Sequence, residues 1–194
     1  MKTFPRSSKS SLGVFVALLR AVNVGGNNMI SMRALKESFE AMGFTDVTPY
    51  INSGNIIFKS KETDARKLET KLERMLAEDY ELDSKVVIRT LPEMEKLVQA
   101  LPKSWEDDST RRYYVIFLRH TIDSEDVLAE LPPNPEVEEI VYHPGTLLWS
   151  ALISELGRSK IQKLSTRKIY KDMTIRNDNT TRKILTLMKK TADS

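Results

Sequence analysis

The chain has 194 residues, 40% hydrophobic and 29% charged, with no cysteine and a net charge of +3. This length suits one large domain or two small ones, and the missing thiols exclude disulfides, cysteine nucleophiles and cysteine-ligated zinc. No apolar run approaches the ~20 residues of a membrane-spanning helix, so the expected setting is the cytoplasm with no membrane contact.

Residues 1–13 are basic and serine-rich without an apolar centre, which reads as a flexible tail rather than a secretory signal. Val14 to Leu19 is a continuous apolar run of strand length, hence a central strand. Met32, Leu35, Phe39 and Met42 then recur at helical spacing up to Gly43. Val47 to Ile51 and Ile56 to Phe58 flank Asn52-Ser53-Gly54-Asn55, which reads as a hairpin. Leu68, Leu72, Met75 and Leu76 mark a second helix, and Val86-Val87-Ile88 a fourth strand. Thr90 to Glu93 has capping-box spacing, continued by Met94, Leu97, Val98 and Leu101. Residues 102–112 are polar and acidic and read as a solvated connector.

The second half repeats this order. Tyr114 to Leu118 reads as a strand, and Ser124 caps a short helix carrying Val127, Leu128 and Leu131. Val137 to Tyr142 and Thr146 to Trp149 flank the turn His143-Pro144-Gly145. Ser159 is placed to cap a helix with Ile161, Leu164 and Ile169, followed by a strand at Met173 to Ile175 and a closing helix with Ile184, Leu185 and Met188. The expected fold class is α+β: two ferredoxin-like β-α-β-β-α-β subdomains, 14–101 and 113–190, plus a C-terminal helix. The two halves share topology without evident sequence identity.

With spatial strand order 4-1-3-2, the end of strand 1 lies beside the start of strand 3. Arg20, Asn23, Gly25 and Gly26 are thereby expected at the same sheet edge as Ser53, Gly54 and Asn55. Glycine and asparagine at such loops serve backbone turns or amide and anion recognition, and the residues allow either. In the second half, Arg158, Ser159 and Lys160 at a helix start and Arg176, Asn177, Asn179 and Thr180 after the last strand form a second candidate anion seat. A plain N-cap with solvent-facing cations fits Arg158 to Lys160 equally well. The same strand order brings His120 near His143. Neither histidine has the further ligands of a metal centre, and no phosphate-loop pattern is complete, so neither metal nor cofactor is expected.

Charge is polarised along the chain. Residues 1–156 hold 19 Lys/Arg against 24 Asp/Glu, whereas residues 157–190 hold 11 Lys/Arg against two Asp. A basic segment of this kind suits a phosphate-bearing partner, a small molecule or nucleic acid, or it is a solvated face. Only Phe15 and Phe58 lie on the first sheet's central strands, which disfavours base stacking and leaves phosphate contact as the expected mode. The alternatives are an enzyme acting on a small anionic substrate, for which no base is evident beside Lys160, Arg20 or Arg176, and a protein-interaction module. Oligomeric state is left open.

Four segments in order, Leu19 to Gly26, Tyr50 to Phe58, Gly157 to Lys160 and Thr174 to Thr180, resemble the DUF1697 family, a bacterial domain of unknown function. The resemblance runs from about Val14 to Met188. It implies an α+β fold with two subdomains, the first ferredoxin-like, and it implies no activity. Two positions depart from the family pattern: Ala21 stands where glycine is common, and Asp178 where tryptophan is common. The latter removes a stacking surface and puts a carboxylate near Arg176.

With little besides Phe4 to bury, the tail is expected to be dispensable. Deleting residues 1–11 should leave the melting temperature unchanged by calorimetry, and a drop of several degrees would show that the tail is packed.

Overall fold

The computed structural model describes residues 12–23 and 29–194; the tail reading over 1–11 and the roles expected of Gly25 and Gly26 lie outside them. The first sheet contains β1 (Gly13–Leu19), β2 (Thr45–Tyr50), β3 (Asn55–Ser60) and β4 (Val86–Thr90), ordered β2-β3-β1-β4. Every neighbouring pair in it is antiparallel. Helices α1 (Met32–Ala41) and α2 (Ala65–Tyr80) follow β1 and β3, and α3 (Leu91–Ala100) follows β4 without a break. Thr90 begins α3 with a complete capping box to Glu93.

The second sheet repeats that order. It contains β5 (Arg111–Leu118), β6 (Glu138–His143), β7 (Thr146–Leu152) and β8 (Met173–Asn177), arranged β6-β7-β5-β8 and again antiparallel throughout. The last helix, α6 (Asp178–Ala192), follows β8 as α3 follows β4, and is capped by the Asn177 side chain at Thr180 N, 2.7 Å.

The connections of the second sheet are reduced. Between β5 and β6 there is one helical turn, α5 (Val127–Glu130). Between β7 and β8 there are three 3₁₀ turns, Ile153–Arg158, Lys160–Thr166 and Lys168–Asp172, where an α-helix capped by Ser159 was expected. Ser159 and Arg167 are both extended, at ψ 139, and interrupt any longer helix. The apolar spacing of Ile161, Leu164 and Ile169 is met by short turns laid on the sheet.

Alternation along the strands explains the apolar runs. Phe15, Ala17 and Leu19 of β1 face α1 and α2, while Val14, Val16 and Leu18 face the other way. In the second sheet Ile116 and Leu118 face the 3₁₀ layer, while Val115 and Phe117 point back toward the first sheet. The inward faces share one core with Met94 and Leu97 of α3 and Ile184, Leu185 and Met188 of α6. Helix α6 packs on β1 and β3 as well as on β5 and β8, so the C-terminal helix belongs to both halves. Both faces of each sheet are covered, which is why the central strands are apolar without alternating with polar residues.

The connector at 102–112 is not a loose linker. It contains the short helix α4 (Ser104–Asp107), whose Trp105 is buried in the shared core and stacks on Tyr113 at 4.8 Å. Its Glu106 pairs with Arg182 of α6 at 3.1 Å.

Two arginines cross between the sheets. On β8 the inner-face residue Arg176 reaches the first sheet, where Nη2 donates to the carbonyls of Leu19 and Ser53, both 3.0 Å, and Nε to Asn55 Oδ1. On β4 the inner-face residue Arg89 does the reverse, with Nη2 donating to the carbonyls of Leu118 and Gly145, both 2.6 Å. Each arginine thus binds the end of the opposite sheet's first strand and its hairpin turn. The turn glycines are required: Gly54 has φ +70 and a Cβ there would lie 2.8 Å from Leu19 Cβ, while Gly145 has φ +80 and a Cβ would meet Arg89 Nη2 at 2.9 Å.

Lysine cannot reproduce a planar fork of donors. Arg176→Lys is expected to cost ~3 kcal/mol, the scale of one or two charge-assisted hydrogen bonds, seen as a melting-temperature drop of roughly 6–12 °C. An unchanged melting temperature would show that the crossing is dispensable.

Candidate functional site

The first polar cluster assembles at one sheet edge. Leu18 pairs with Asn55, and Leu19 N donates to the Gly54 carbonyl at 2.8 Å. This places Arg20 beside Ser53, Gly54 and Asn55, as strand order required. The cluster is occupied by protein. Asn55 is fully buried, its Nδ2 donates to Tyr50 O and Ser53 Oγ, both 3.1 Å, and its Oδ1 accepts from Arg176. Asn23, at φ 55, exchanges two hydrogen bonds with the Ile30 backbone, 2.9 and 2.7 Å. The Arg20 guanidinium sits over the Tyr170 ring at 4.7 Å, and its Nε is buried with no hydrogen bond among the described residues.

The second candidate seat does not form as expected. All five N–H donors of Arg176 are engaged by Asn55, Thr174, Ile175, Leu19 and Ser53, so none is left for a phosphate. Burial draws its guanidinium down to about 10, still cationic at neutral pH. Asn177 and Thr180 form the α6 cap, Asn179 is exposed, and Asp178 pairs with Arg182 at 3.1 Å rather than with Arg176.

Arg158, Ser159 and Lys160 lie elsewhere. Ser159 Oγ and Lys160 N donate to the buried carboxylate of Glu138, which also accepts from Trp149 Nε1 at 3.0 Å and Asn134 N at 2.7 Å. The anion expected at this turn is therefore a side chain of the protein. Arg158 is exposed and pairs with Glu136 and Glu155.

The edge of the second sheet that corresponds to the Arg20 cluster is open. A pocket of about 440 Å³ lies there between the halves, lined from α2 by Arg66 and Glu69, from β4 and α3 by Arg89, Glu93 and Lys96, and from the second half by His120, Asp123, His143, Gly145 and Thr146. Both histidines meet in it. His120 Nδ1 is 2.9 Å from Glu69 Oε2, and Glu69 Oε1 accepts from Ile88 N at 3.2 Å. Glu69 is almost fully buried, whereas the His120 side chain is 34% exposed. One turn along α2, Glu73 accepts from Val86 N at 3.0 Å and pairs with Arg119 at 2.9 Å. Two α2 carboxylates thus satisfy the free edge of β4 and hold the neighbouring residues Arg119 and His120 of the other half.

Every carboxylate in the pocket is engaged by protein. Glu93 accepts from Thr90 N and Oγ1 at 2.7 and 2.8 Å, and Asp123 accepts from Gly145 N and Tyr142 Oη at 2.8 and 2.9 Å. The Tyr142 phenol is raised, by burial first and then by its bond to Asp123. Burial lowers the Arg89 guanidinium, partly countered by Glu93, Glu69 and Asp123. The Arg66 and Lys96 side chains, by contrast, make no hydrogen bond or ion pair among the described residues, and His143 Nδ1 is buried without a partner among them. No group of three or more Asp, Glu or His side chains is placed to hold a metal ion among the described residues, and no helix there is long and apolar enough to cross a membrane.

Sequence reasoning anticipated the meeting of the histidines but not Glu69, Arg66, Arg89 or Lys96. A signal was present. Leu19-Arg20 recurs as Leu118-Arg119, and Ile175-Arg176 before a helix cap recurs as Ile88-Arg89, so the halves do share residues at equivalent positions.

The family model described as a protein of unknown function, DUF1697, matches residues 12–149. A solved structure of a conserved bacterial protein from Streptococcus pneumoniae is similar at 27% identity and a TM-score of 0.82, covering 92% of this chain and 99% of that one. No curated protein matches the chain.

Ser159→Ala removes one donor from the buried Glu138 carboxylate and is expected to cost ~1–3 kcal/mol in urea unfolding. Arg158→Ala breaks only exposed pairs and should leave the unfolding midpoint unchanged. The opposite ranking would contradict these assignments.

Proposed function

The chain belongs to the DUF1697 family of proteins of unknown function, and we propose that it binds a small phosphate-bearing ligand in the pocket between its halves. The observation that carries this reading is the charge state of the pocket: Glu69, Glu93 and Asp123 are held by protein donors, while the Arg66 and Lys96 side chains and His120 Nε2 have no partner among the described residues. An anion gains from such a site and a cation does not. A volume of about 440 Å³ suits a small molecule.

The finer structural and cellular readings belong with this proposal. Antiparallel strand order 4-1-3-2 in both sheets supports describing each as ferredoxin-like, the second with reduced connections, and the lack of cysteine supports a reducing, cytoplasmic setting. A second reading, contact with a nucleic-acid backbone, is favoured by one feature. Lys160, Lys163, Arg167, Lys168 and Lys171 are exposed along the 3₁₀ turns and form no ion pair among the described residues. Polynucleotide binding would weaken steeply with salt, which binding in the pocket would do far less.

Titration calorimetry with inorganic phosphate and adenosine monophosphate tests the pocket. Wild type should bind both. Arg66→Ala and Lys96→Ala should each weaken binding about fivefold, the effect of one exposed charge at ~1 kcal/mol, while Lys163→Ala should have no effect. If wild type binds neither compound, the pocket reading is wrong.

A further inference from the structure

The pocket holds one arrangement that binding does not need. Glu69 is buried on α2, and its orientation is set by Ile88 N at Oε1. Its second oxygen faces His120 Nδ1 at 2.9 Å. An ionised carboxylate only accepts, so the proton between them belongs to Nδ1, which leaves a lone pair on Nε2. That nitrogen makes no hydrogen bond among the described residues and belongs to a side chain lining the pocket. A carboxylate that fixes the tautomer of a partly exposed imidazole, beside free cations, is the arrangement of a general base next to an anion seat.

We propose that the protein hydrolyses a phosphate ester in this pocket, with His120 as the base and Glu69 as its positioning residue. This rests on the phosphate-binding reading above. Arg66 and Lys96 hold the phosphate oxygens. A solvent water gives its proton to His120 Nε2 as its oxygen bonds to phosphorus, and the P–O bond to the leaving alcohol breaks. The alkoxide takes the proton back from the imidazolium, so water is added across the ester and His120 returns to its initial state. Neither electrons nor a further reactant are required. During the step the imidazolium is balanced by Glu69, while Arg89 is kept from it by its bonds to the Leu118 and Gly145 carbonyls. His143 and Asp123 complete the wall on the hairpin side.

A structural role for the Glu69–His120 pair, simply joining the halves, is separable by measurement. Glu69→Gln keeps an oxygen for Ile88 N but turns an amide toward His120, which transfers the imidazole proton from Nδ1 to Nε2 and removes the base. The test follows release of nitrophenolate from bis(4-nitrophenyl) phosphate and 4-nitrophenyl phosphate across pH 5–9, with nitrogen-15 spectra of the imidazoles and phosphate titrations on the same samples. Wild type should turn over at least one ester, with kcat/KM rising from acid pH to a plateau as the base of the free enzyme loses its proton. His120→Gln should lose ~100-fold or more. Glu69→Gln should lose activity together with the tautomer change, while its phosphate affinity stays within about tenfold of wild type. Phosphate binding without turnover of either ester overturns the catalytic role and leaves the binding reading standing. Absence of both overturns both. Turnover undiminished in His120→Gln, or a wild-type spectrum with the proton on Nε2, overturns the role of the pair.

Discussion

Two buried guanidinium groups, each donating to backbone carbonyls of the opposite sheet, are the constraint on which the architecture depends. Arg176 has no carboxylate among its hydrogen-bond partners; it holds only amide, hydroxyl and carbonyl oxygens. Burial disfavours the charge and draws the guanidinium down, while all five donors are satisfied by hydrogen bonds of the stronger, charge-assisted kind. The carbonyls of Leu19 and Ser53 on one side, and of Leu118 and Gly145 on the other, lie where each sheet's first strand and hairpin turn end, and the arginines supply donors to them there.

The crossing also explains why one edge is closed and the other open. At the first sheet's edge, Arg176 is joined by Asn55, Asn23 and the Arg20–Tyr170 stack, and the polar groups consume one another. At the second sheet's edge the equivalent turn is His143-Pro144-Gly145, and the strand end carries His120. Arg89 takes the carbonyls as before, but His120 Nε2 and both ring nitrogens of His143 make no hydrogen bond among the described residues. Helix α2 supplies Glu69 and Glu73 to this edge. In the other half only 3₁₀ turns occupy the corresponding crossover, and they present Tyr170 instead. The asymmetry between an α-helix and 3₁₀ turns thus decides where the pocket lies.

Much of the fold was legible because burial wrote it into the strands. Val14 to Leu19 is apolar at every position since α1 and α2 cover one face and α3 and α6 the other. Strand order, once inferred, placed Arg20 beside Gly54 and His120 beside His143. The 3₁₀ segment was not legible, because Ile161, Leu164 and Ile169 have spacing that helices and short turns both satisfy, and a serine before them reads as a cap in either case. Arg176 was misplaced for a different reason. The basic composition around it suggests a surface, yet β8 alternates, and Thr174 and Arg176 share the face turned to the other sheet. Composition averages over a strand; burial of a cation is decided by one face. Nor could Glu138 be seen occupying the seat at Ser159, since that contact joins residues 21 apart in sequence across a sheet and a turn.

Native-state hydrogen exchange on Arg89→Lys/Arg176→Lys tests the mutual crossing most directly, because it reads the stability of each sheet separately. In wild type, central amides of β1 and β3 should open at the same free energy as those of β5 and β7, since the shared core and both arginines make one cooperative unit. In the double variant the two sets should separate, with one sheet opening well below the other. Coincident opening of the two sheets in the double variant, at wild-type free energy, would contradict the account.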